Sequence, residues 1–566
     1  MRKKISTIKS FAKGVQTEVF PGDFWHSENI DIDGRNPYII PSTRMFFEAM
    51  YTDAIACSTN FINSHYVLQE NGVFLKKNTT WENVHENTEG EGLGIYGDDS
   101  NMYYASNDYA GIFNGTTWTD TWQKFEVSNY PYFCPIAKFQ KFICFGNKNH
   151  LAVWDMGASS WTKSKLSPTI PSGYNIIWMK PMADYLAICA HNDNIGSVIF
   201  LWDGVSTTYN IIIKAEGEKC VGADVINNEL FIVTSNGWIN RLANYSSLKK
   251  LNKFPDFEEK EDILNLRADA VKFYNGILMM GVPGSGLLMN KRWKRGGIWA
   301  YNPLTNSIYF KHKVSNLGLT NITGKGISTF SSLIVGESTT SSDILGAVYD
   351  TGSMTYGWRI DRNLNTAGGL SQFEPYPNSA IIVTKIIDDD IFNRKRFTKA
   401  IINLMKPLEK EGNIILRYNI SGEYIKKECN VISGNNNSFI LSAADSSNVN
   451  VRDEVSIIGG AGGGEIKNII KKEIDGTNYK FTVDGLDNPY AQYGPTTRIA
   501  ISEFFKIEPE LSGDNYEGII TKLIRFHART KKIQFKIEIK SPEDKNFNVG
   551  ISDLSIEYAL DKILNK

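Results

Sequence analysis

The sequence predicts an all-β protein: a β-propeller of about seven blades, followed by a C-terminal β-sandwich that carries an inserted small β-barrel. Three observations predict it. A hairpin recurs through the first part of the chain. After residue 370 the pattern changes to apolar–polar alternation. The composition, with 12% aromatic residues and 47 glycines in 566, suits strands and turns more than helices.

The hairpin is clearest in "GIFNGTTW" (Gly111–Trp118). Its counterparts are "GVFLKKNTTW" ending at Trp81, "AVWDMGASSW" at Trp161 and "FLWDGVSTTY" at Tyr209. Each has an upstream partner strand. "HYVLQ" precedes "GVFLK", "MYYAS" precedes "GIFNG", "FICFG" precedes "LAVWD", and "LAICA" precedes "IFLWD". "LFIVTSNG" runs into "WINRL", "ILMMG" precedes "GIWAYN", and "LIVGE" precedes "GAVYD". The seven pairs align Phe74, Phe113, Trp154, Trp202, Trp238, Trp299 and Tyr349, at intervals of 36 to 61 residues.

A repeat of this length, made of short strands, points to a propeller. One small sheet cannot bury both faces, and radial stacking buries each face on the next blade. In "GIFNGTTW", Ile112 and Phe113 are read as third strand, Asn114-Gly115 as the turn, and Thr117-Trp118 as the start of the outer strand. The propeller is assigned to 46–370. Residues 1–45 are read as an N-terminal arm that supplies a strand to close the ring. The longest interval absorbs "KFPDFEEKEDILNLRAD" and "GSGLLMNKRWKRGG".

Beyond 370, "NIILRYNI" puts Ile414, Leu416, Tyr418 and Ile420 on one face. "KIQFKIEIK" puts Ile533, Phe535, Ile537 and Ile539 against Gln534, Lys536, Glu538 and Lys540, and "LSIEYAL" repeats the pattern. Such alternation predicts half-buried antiparallel strands and a sandwich, with halves at 371–428 and 501–566. Residues 429–500, with an Asp475-Gly476 hairpin, are read as the inserted barrel.

A net charge of −1 gives no global field for polyanions. The six cysteines form no CxxC pair, and several sit in apolar runs, so they are expected to be reduced and buried. The seven histidines form no HxH or HExxH. The basic start "MRKKISTIKSF" has no apolar core after it, and no apolar run spans a bilayer, so a soluble chain made in a cytoplasm is expected.

Motifs with chemistry fail on spacing. "GVPGSGLLMNKR" (Gly281–Arg292) has Leu287-Leu288 where a phosphate loop needs Lys and Ser/Thr. "GGAGGG" (Gly459–Gly464) misses the dinucleotide pattern at Ala461 or Glu465. "DDD" (Asp388–Asp390) places adjacent carboxylates on opposite sides of an extended chain. "NKRWKR" (Asn290–Arg295) reads as a solvated basic loop, a subunit contact or a phosphate contact. Trp154-Asp155 and Trp202-Asp203 look like WD-repeat dipeptides without their Gly-His partners. Ser106, Asp108, Gly111 and Trp118 follow an Asp-box order at the wrong spacing. No catalytic, cofactor-binding or metal-binding residue is assigned, and no cofactor is expected.

The order of parts carries a resemblance. "FPGDFWHSENIDIDGRNPYIIPS" precedes a degenerate propeller with "NGTTW" loops. A sandwich then opens with "DDDIFNRKRFTKAIINL" and ends with "IQFKIEIKSPEDKNFNVGISDLSIEYAL". This resembles the propeller-bearing tail proteins of tailed bacteriophages, the nozzle and hub class. The resemblance implies a non-enzymatic virion subunit that assembles with other tail proteins into a homo-oligomeric ring, sixfold favoured. DNA would pass through its channel without sequence-specific binding, and no integral membrane segment is implied. The alternative reading is a receptor-binding propeller that recognises a host surface glycan or protein. A glycan-cleaving propeller is a further one.

Overall fold

The computed structural model describes residues 3–8, 14–15, 23–28, 30–32, 39–41, 45–51, 53–77, 81–215, 218–255, 257, 263–264, 266–274, 276–282, 297–313, 329–338, 341–350, 355–360, 379–388, 394–408, 410, 412–420, 425–447, 449–451, 453–459, 466–483, 492–502, 504–507, 509–540 and 550–560. The chain is almost entirely β. It divides into unit 1 (Met1–Phe46, Pro283–Ile327, Asn363–Lys566) and unit 2 (Phe47–Val282, Ser328–Arg362). Among the described residues, no helix is long and apolar enough to cross a membrane.

Unit 2 is a β-propeller. Its first sheet runs Ile55–Phe61, Ser64–Gln69, Val73–Lys77, Trp81–Glu86, and its second Gly94–Gly97, Met102–Ala105, Tyr109–Phe113, Trp118–Lys124. The third runs Ile136–Phe139, Phe142–Asn147, His150–Asp155, Ser160–Thr162. The fourth runs Asn175–Pro181, Leu186–Asn192, Gly196–Trp202, Ile211–Lys214, and the fifth Cys220–Ile226, Glu229–Thr234, Trp238–Ala243, Ser247–Lys253. A hairpin of Val271–Tyr274 and Ile277–Val282 follows. The last sheet is Thr329–Ser338, Ser341–Asp350, Thr355–Ile360 and, from the far end of the sequence, Met45–Tyr51. The first strands touch in cyclic order, from Ile55–Phe61 round to Thr329–Ser338 and back.

Two sequence expectations need correction. Lys3–Ile8, Gly14–Val15, Asp23–Glu28, Ile30–Ile32 and Ile39–Pro41 all join sheets of unit 1, so the strand that completes the last propeller sheet is Met45–Tyr51. "LIVGE" and "GAVYD" are the first and second strands of that sheet, not the second and third, because its fourth strand is borrowed. The Ser307–Lys313 strand also pairs with Gly14 in parallel. Gly14 is required at that contact: its φ is +77°, and a Cβ would lie 2.2 Å from the Ile308 carbonyl oxygen.

The repeated hairpin has a common local cause. The Asn114 side-chain oxygen accepts from the N–H groups of Thr116 (3.0 Å) and Thr117 (2.8 Å), while Gly115 takes φ +92°. Asp155 accepts from Gly157 and Ala158, both at 3.0 Å, and Asp203 from Val205 (2.9 Å) and Ser206 (2.8 Å). The Asp or Asn at the end of the third strand therefore builds the turn from its own side chain. The two WD-like dipeptides are turn residues of this kind.

Trp118 then begins the outer strand and packs between two sheets. Its ring stacks on Phe113 (4.1 Å, 17°) and on His85 of the first sheet (4.3 Å, 11°), and lies 4.7 Å from Phe74. Apolar clusters of this kind join the first and second sheets, the second and third, the third and fourth, and the fourth and fifth.

Unit 1 contains a six-stranded sheet ordered Ile30–Ile32, Ile39–Pro41, Ile551–Leu560, Lys395–Leu404, Thr521–Thr530, with Lys3–Ile8 also on Ile551–Leu560. A longer sheet runs through Ser307–Lys313, Gly14–Val15, Asp23–Glu28, Ser379–Thr384, Gln534–Lys540 and Asn413–Asn419. Phe526 of the six-stranded sheet meets Phe535 (5.7 Å) and Tyr418 (5.4 Å) of the longer one. A seven-stranded sheet from Ile425–Asn430 to Arg498–Ser502 surrounds its own core of Cys429, Phe439, Ile457, Phe481 and Ile499. Its Ile466–Asp475 and Asn478–Val483 strands close at Asp475, where Gly476 takes φ +62°.

The expected half-burial of "KIQFKIEIK" and "NIILRYNI" is overturned. Gln534, Lys536, Glu538 and Arg417 are buried, like the isoleucines between them. The reason is a buried ion pair: the Lys536 ammonium contacts Glu454 of the seven-stranded sheet, with side chains 0% and 1% exposed. The second face of the longer sheet is thus covered.

Two predictions follow from these contacts. Asp203→Ala should cost about 1 kcal/mol, read as a lower urea midpoint by tryptophan fluorescence, whereas Asp203→Asn should hold the turn as Asn114 does. Burial opposes ionisation of Asp203, but hydrogen bonds from Ser206, Val205 and Asn210 outweigh it and bring its pKa to about 2. Its contribution is present above the unfolded carboxylate's pKa and is lost as pH falls toward 2; the Asn variant should lack that acid-dependent loss. Separately, Lys536→Met or Glu454→Gln should each destabilise by about 3–5 kcal/mol. The double variant should cost clearly less than the sum in a denaturation cycle; strict additivity would refute the pairing.

Candidate functional site

The ends of the first strands of unit 2 converge on a cavity of about 350 Å³. Cys57, Trp178, Lys180, Lys219, Arg267 and Asp269 contribute to its wall, and Tyr132 and Phe133 to its rim. The rim loop lies between the second and third sheets. It leaves Tyr130, Tyr132 and Phe133 at 52%, 44% and 37% exposure.

Arg267 precedes, and Asp269 lies within, the single 3₁₀ turn Ala268–Ala270 before the Val271–Tyr274 strand. Both reach the first sheet. The Ser58 N–H and hydroxyl donate to Asp269 Oδ2 at 2.9 and 3.4 Å, and Lys272 Nζ lies 2.9 Å from Oδ1. The Arg267 guanidinium donates to the Ile55 carbonyl (3.1 Å) and to Glu70 Oε1 (2.7 Å), and sits 4.7 Å from the Phe133 ring centroid. These two residues were invisible to sequence reading because "NLRAD" lies in the stretch read as an insertion. The available signal was an Arg and an Asp two residues apart, directly before an apolar strand.

Other polar groups in unit 2 join neighbouring sheets in the same way. Thr59 Oγ1 accepts from Gly97 N–H at 2.9 Å, and Lys138 pairs with Asp98 at 3.2 Å. Trp178 Nε1 donates to the Cys220 carbonyl at 2.9 Å, and Lys180 pairs with Asp224 at 3.1 Å. Asp224 also accepts from Phe273 N–H at 2.6 Å. Asp120 receives the Tyr104 hydroxyl (2.5 Å), His85 Nε2 (2.8 Å) and Thr88 N–H (3.0 Å). Burial opposes ionisation of Asp120, but those hydrogen bonds prevail and hold its pKa below the usual carboxylate range.

All six cysteines are buried free thiols. Burial raises the pKa of each one for which a shift is resolved, Cys429 to about 11, and the nearby Asp269 carboxylate adds to the rise at Cys57. Such thiols stay protonated at neutral pH and are poor nucleophiles. Burial brings the His65 pKa down to about 4, so it is a neutral core imidazole. Among the described residues, no group of three His, Cys, Asp or Glu could hold a metal. The segments 283–296 and 460–465, which hold most of the two glycine-rich motifs and all of "NKRWKR", lie outside the described residues, as do Asp389 and Asp390. Asp388 is exposed.

Asp269→Ala should cost about 2 kcal/mol, the value of a hydrogen bond to a charged group. It should also raise hydrogen exchange at the Ser58 amide. A peptide spanning 55–61 should show the rise by mass spectrometry, and one spanning 186–192 should not.

No family model matches the chain, and no curated protein matches it. Among solved structures, it is similar to the computationally designed Ika8 protein at 9% identity and a TM-score of 0.36, covering 56% of this chain and 100% of that one. It is also similar to the Neurospora crassa Pan2 WD40 domain at 10% identity and a TM-score of 0.35, covering 56% and 96%. A third is BBS1N, solved in complex with ARL6DN, at 12% identity and a TM-score of 0.37, covering 57% and 98%.

Proposed function

We propose that the chain is a non-enzymatic structural subunit of a bacteriophage tail, a nozzle, hub or adaptor protein that forms a homo-oligomeric ring around the DNA exit channel. The observation that carries the reading is where unit 2 places its polar chemistry. Asp98, Asp120, Asp224, Arg267 and Asp269 each hold one sheet to another. This builds a stiff block suited to bearing load and presenting surfaces. The resemblance in the order of parts supports the tail assignment.

Negative-stain imaging of the purified protein and of virions tests it. Rings in solution and labelling of the tail by an antibody against the chain are the expected results. A monomer at micromolar concentration that is also missing from virions would overturn it.

A second reading, a receptor-binding propeller, is favoured by one specific feature: the exposed Tyr130, Tyr132 and Phe133 beside the cavity. Aromatic side chains of this kind serve as anchors in binding sites. It predicts saturable binding of the protein to host cells that is lost on Tyr132→Ala.

A further inference from the structure

The six-stranded sheet of unit 1 turns one face to its core and one to solvent. Along Thr521–Thr530 the alternation is strict. Ile524, Phe526 and Ala528 are buried, and Leu523, Arg525, His527 and Arg529 are exposed. The adjacent Lys395–Leu404 strand sets Arg396 opposite Arg529 and Lys399 opposite Arg525. On the far side of that strand, Arg396 faces Ala559, which in turn faces Lys3. Arg394, Lys531 and Lys532 are exposed at the same end, where Lys395 pairs with Thr530.

Like charges directly opposite each other across strands are destabilising, so two such pairs side by side do not serve the sheet. Glu557 answers part of the charge, at 3.1 Å from Lys3 and 3.5 Å from Lys399. Asp553 is occupied by the Asn403 amide at 2.6 Å. Arg394, Arg396, Arg525, Lys531 and Lys532 carry no acidic partner among the described residues.

We propose that this face binds the phosphate backbone of duplex nucleic acid. Arginine supplies much of the unanswered charge, and its planar fork matches phosphate oxygens. Alternate residues along a strand stand about 7 Å apart, and neighbouring strands about 5 Å, which gives a flat grid of cations. The exposed face of Thr521–Thr530 and Lys395–Leu404 presents Arg, Lys, His, Thr, Leu, Ile and Asn and no Phe, Tyr or Trp, so it has no run of large aromatic platforms for unstacked bases. Contacts of this kind read backbone charge, not sequence. The inference stands on the charges of this sheet and is independent of the tail reading.

The test is fluorescence anisotropy of the full chain with a short labelled DNA duplex across a salt series. Binding independent of sequence is expected, with log K falling against log salt at a slope of about −3 to −4. The Arg396→Glu/Arg525→Glu variant should bind at least tenfold more weakly and flatten the slope by about 2. It keeps the sheet, because each new carboxylate faces a cation, Arg529 or Lys399. Arg396→Gln/Arg525→Gln gives the same reading if the first variant fails to fold. Lys406→Glu/Lys410→Glu changes the charge equally in an exposed loop and should weaken binding less than threefold. No binding by the intact chain at low salt overturns the proposal, as does equal loss in the loop control. Tighter binding to single strands than to duplex, or displacement of duplex by polyglutamate at equal charge concentration, also overturns it; the latter would mark an acidic protein as the occupant.

Discussion

Ring closure is the constraint on which the propeller depends. A four-stranded sheet has two apolar faces and no core of its own, so each must find a neighbour on both sides. Fully buried residues such as Trp178 and Trp202 lie in these joints, and each such burial is worth about 1.5–3 kcal/mol. A gap anywhere in the ring would expose two such faces together. The chain meets this twice. It lends Met45–Tyr51 to the last sheet, tying the start of the propeller sequence to its end. It also sends Arg267 and Asp269 to the first sheet. The two ties are independent, because one is a backbone ladder and the other a pair of charged side chains.

The joints also explain why the repeat is both regular and degenerate. Turn chemistry is local and has few solutions, so Asn114, Asp155 and Asp203 recur at equivalent places. The polar link between sheets can be made by any donor and acceptor that meet, so it is less uniform. Lys–Asp pairs recur at Lys138–Asp98 and Lys180–Asp224, but Thr59 meets Gly97 and Trp178 meets Cys220. The repeat was therefore legible through its turns and aromatic positions, and the links that hold it together were not.

What escaped the sequence did so for definable reasons. Alternation in "KIQFKIEIK" tells which residues share a face, but not whether a second layer covers the polar one. Lys536 reads as a surface lysine until Glu454, eighty-two positions earlier, is placed against it. The last propeller sheet was misread by one strand because pattern cannot show that a strand is borrowed from elsewhere in the chain. In each case a local reading was sound, and a distant partner changed its meaning.

The two units also use their charge differently. In unit 2, Asp98, Asp224, Asp269 and Arg267 sit in short contacts between sheets. Charge committed in this way gives stiffness but has little left for a ligand. The six-stranded sheet of unit 1 does the opposite: it sets Arg396 and Arg525 beside other cations, where they weaken the sheet locally. An arrangement that costs stability and is held on a rigid ladder is what a recognition surface requires, because the cations are already in place when a polyanion arrives. On this reasoning the propeller is the framework of the molecule, and the solvent face of the six-stranded sheet is where it meets charge from outside.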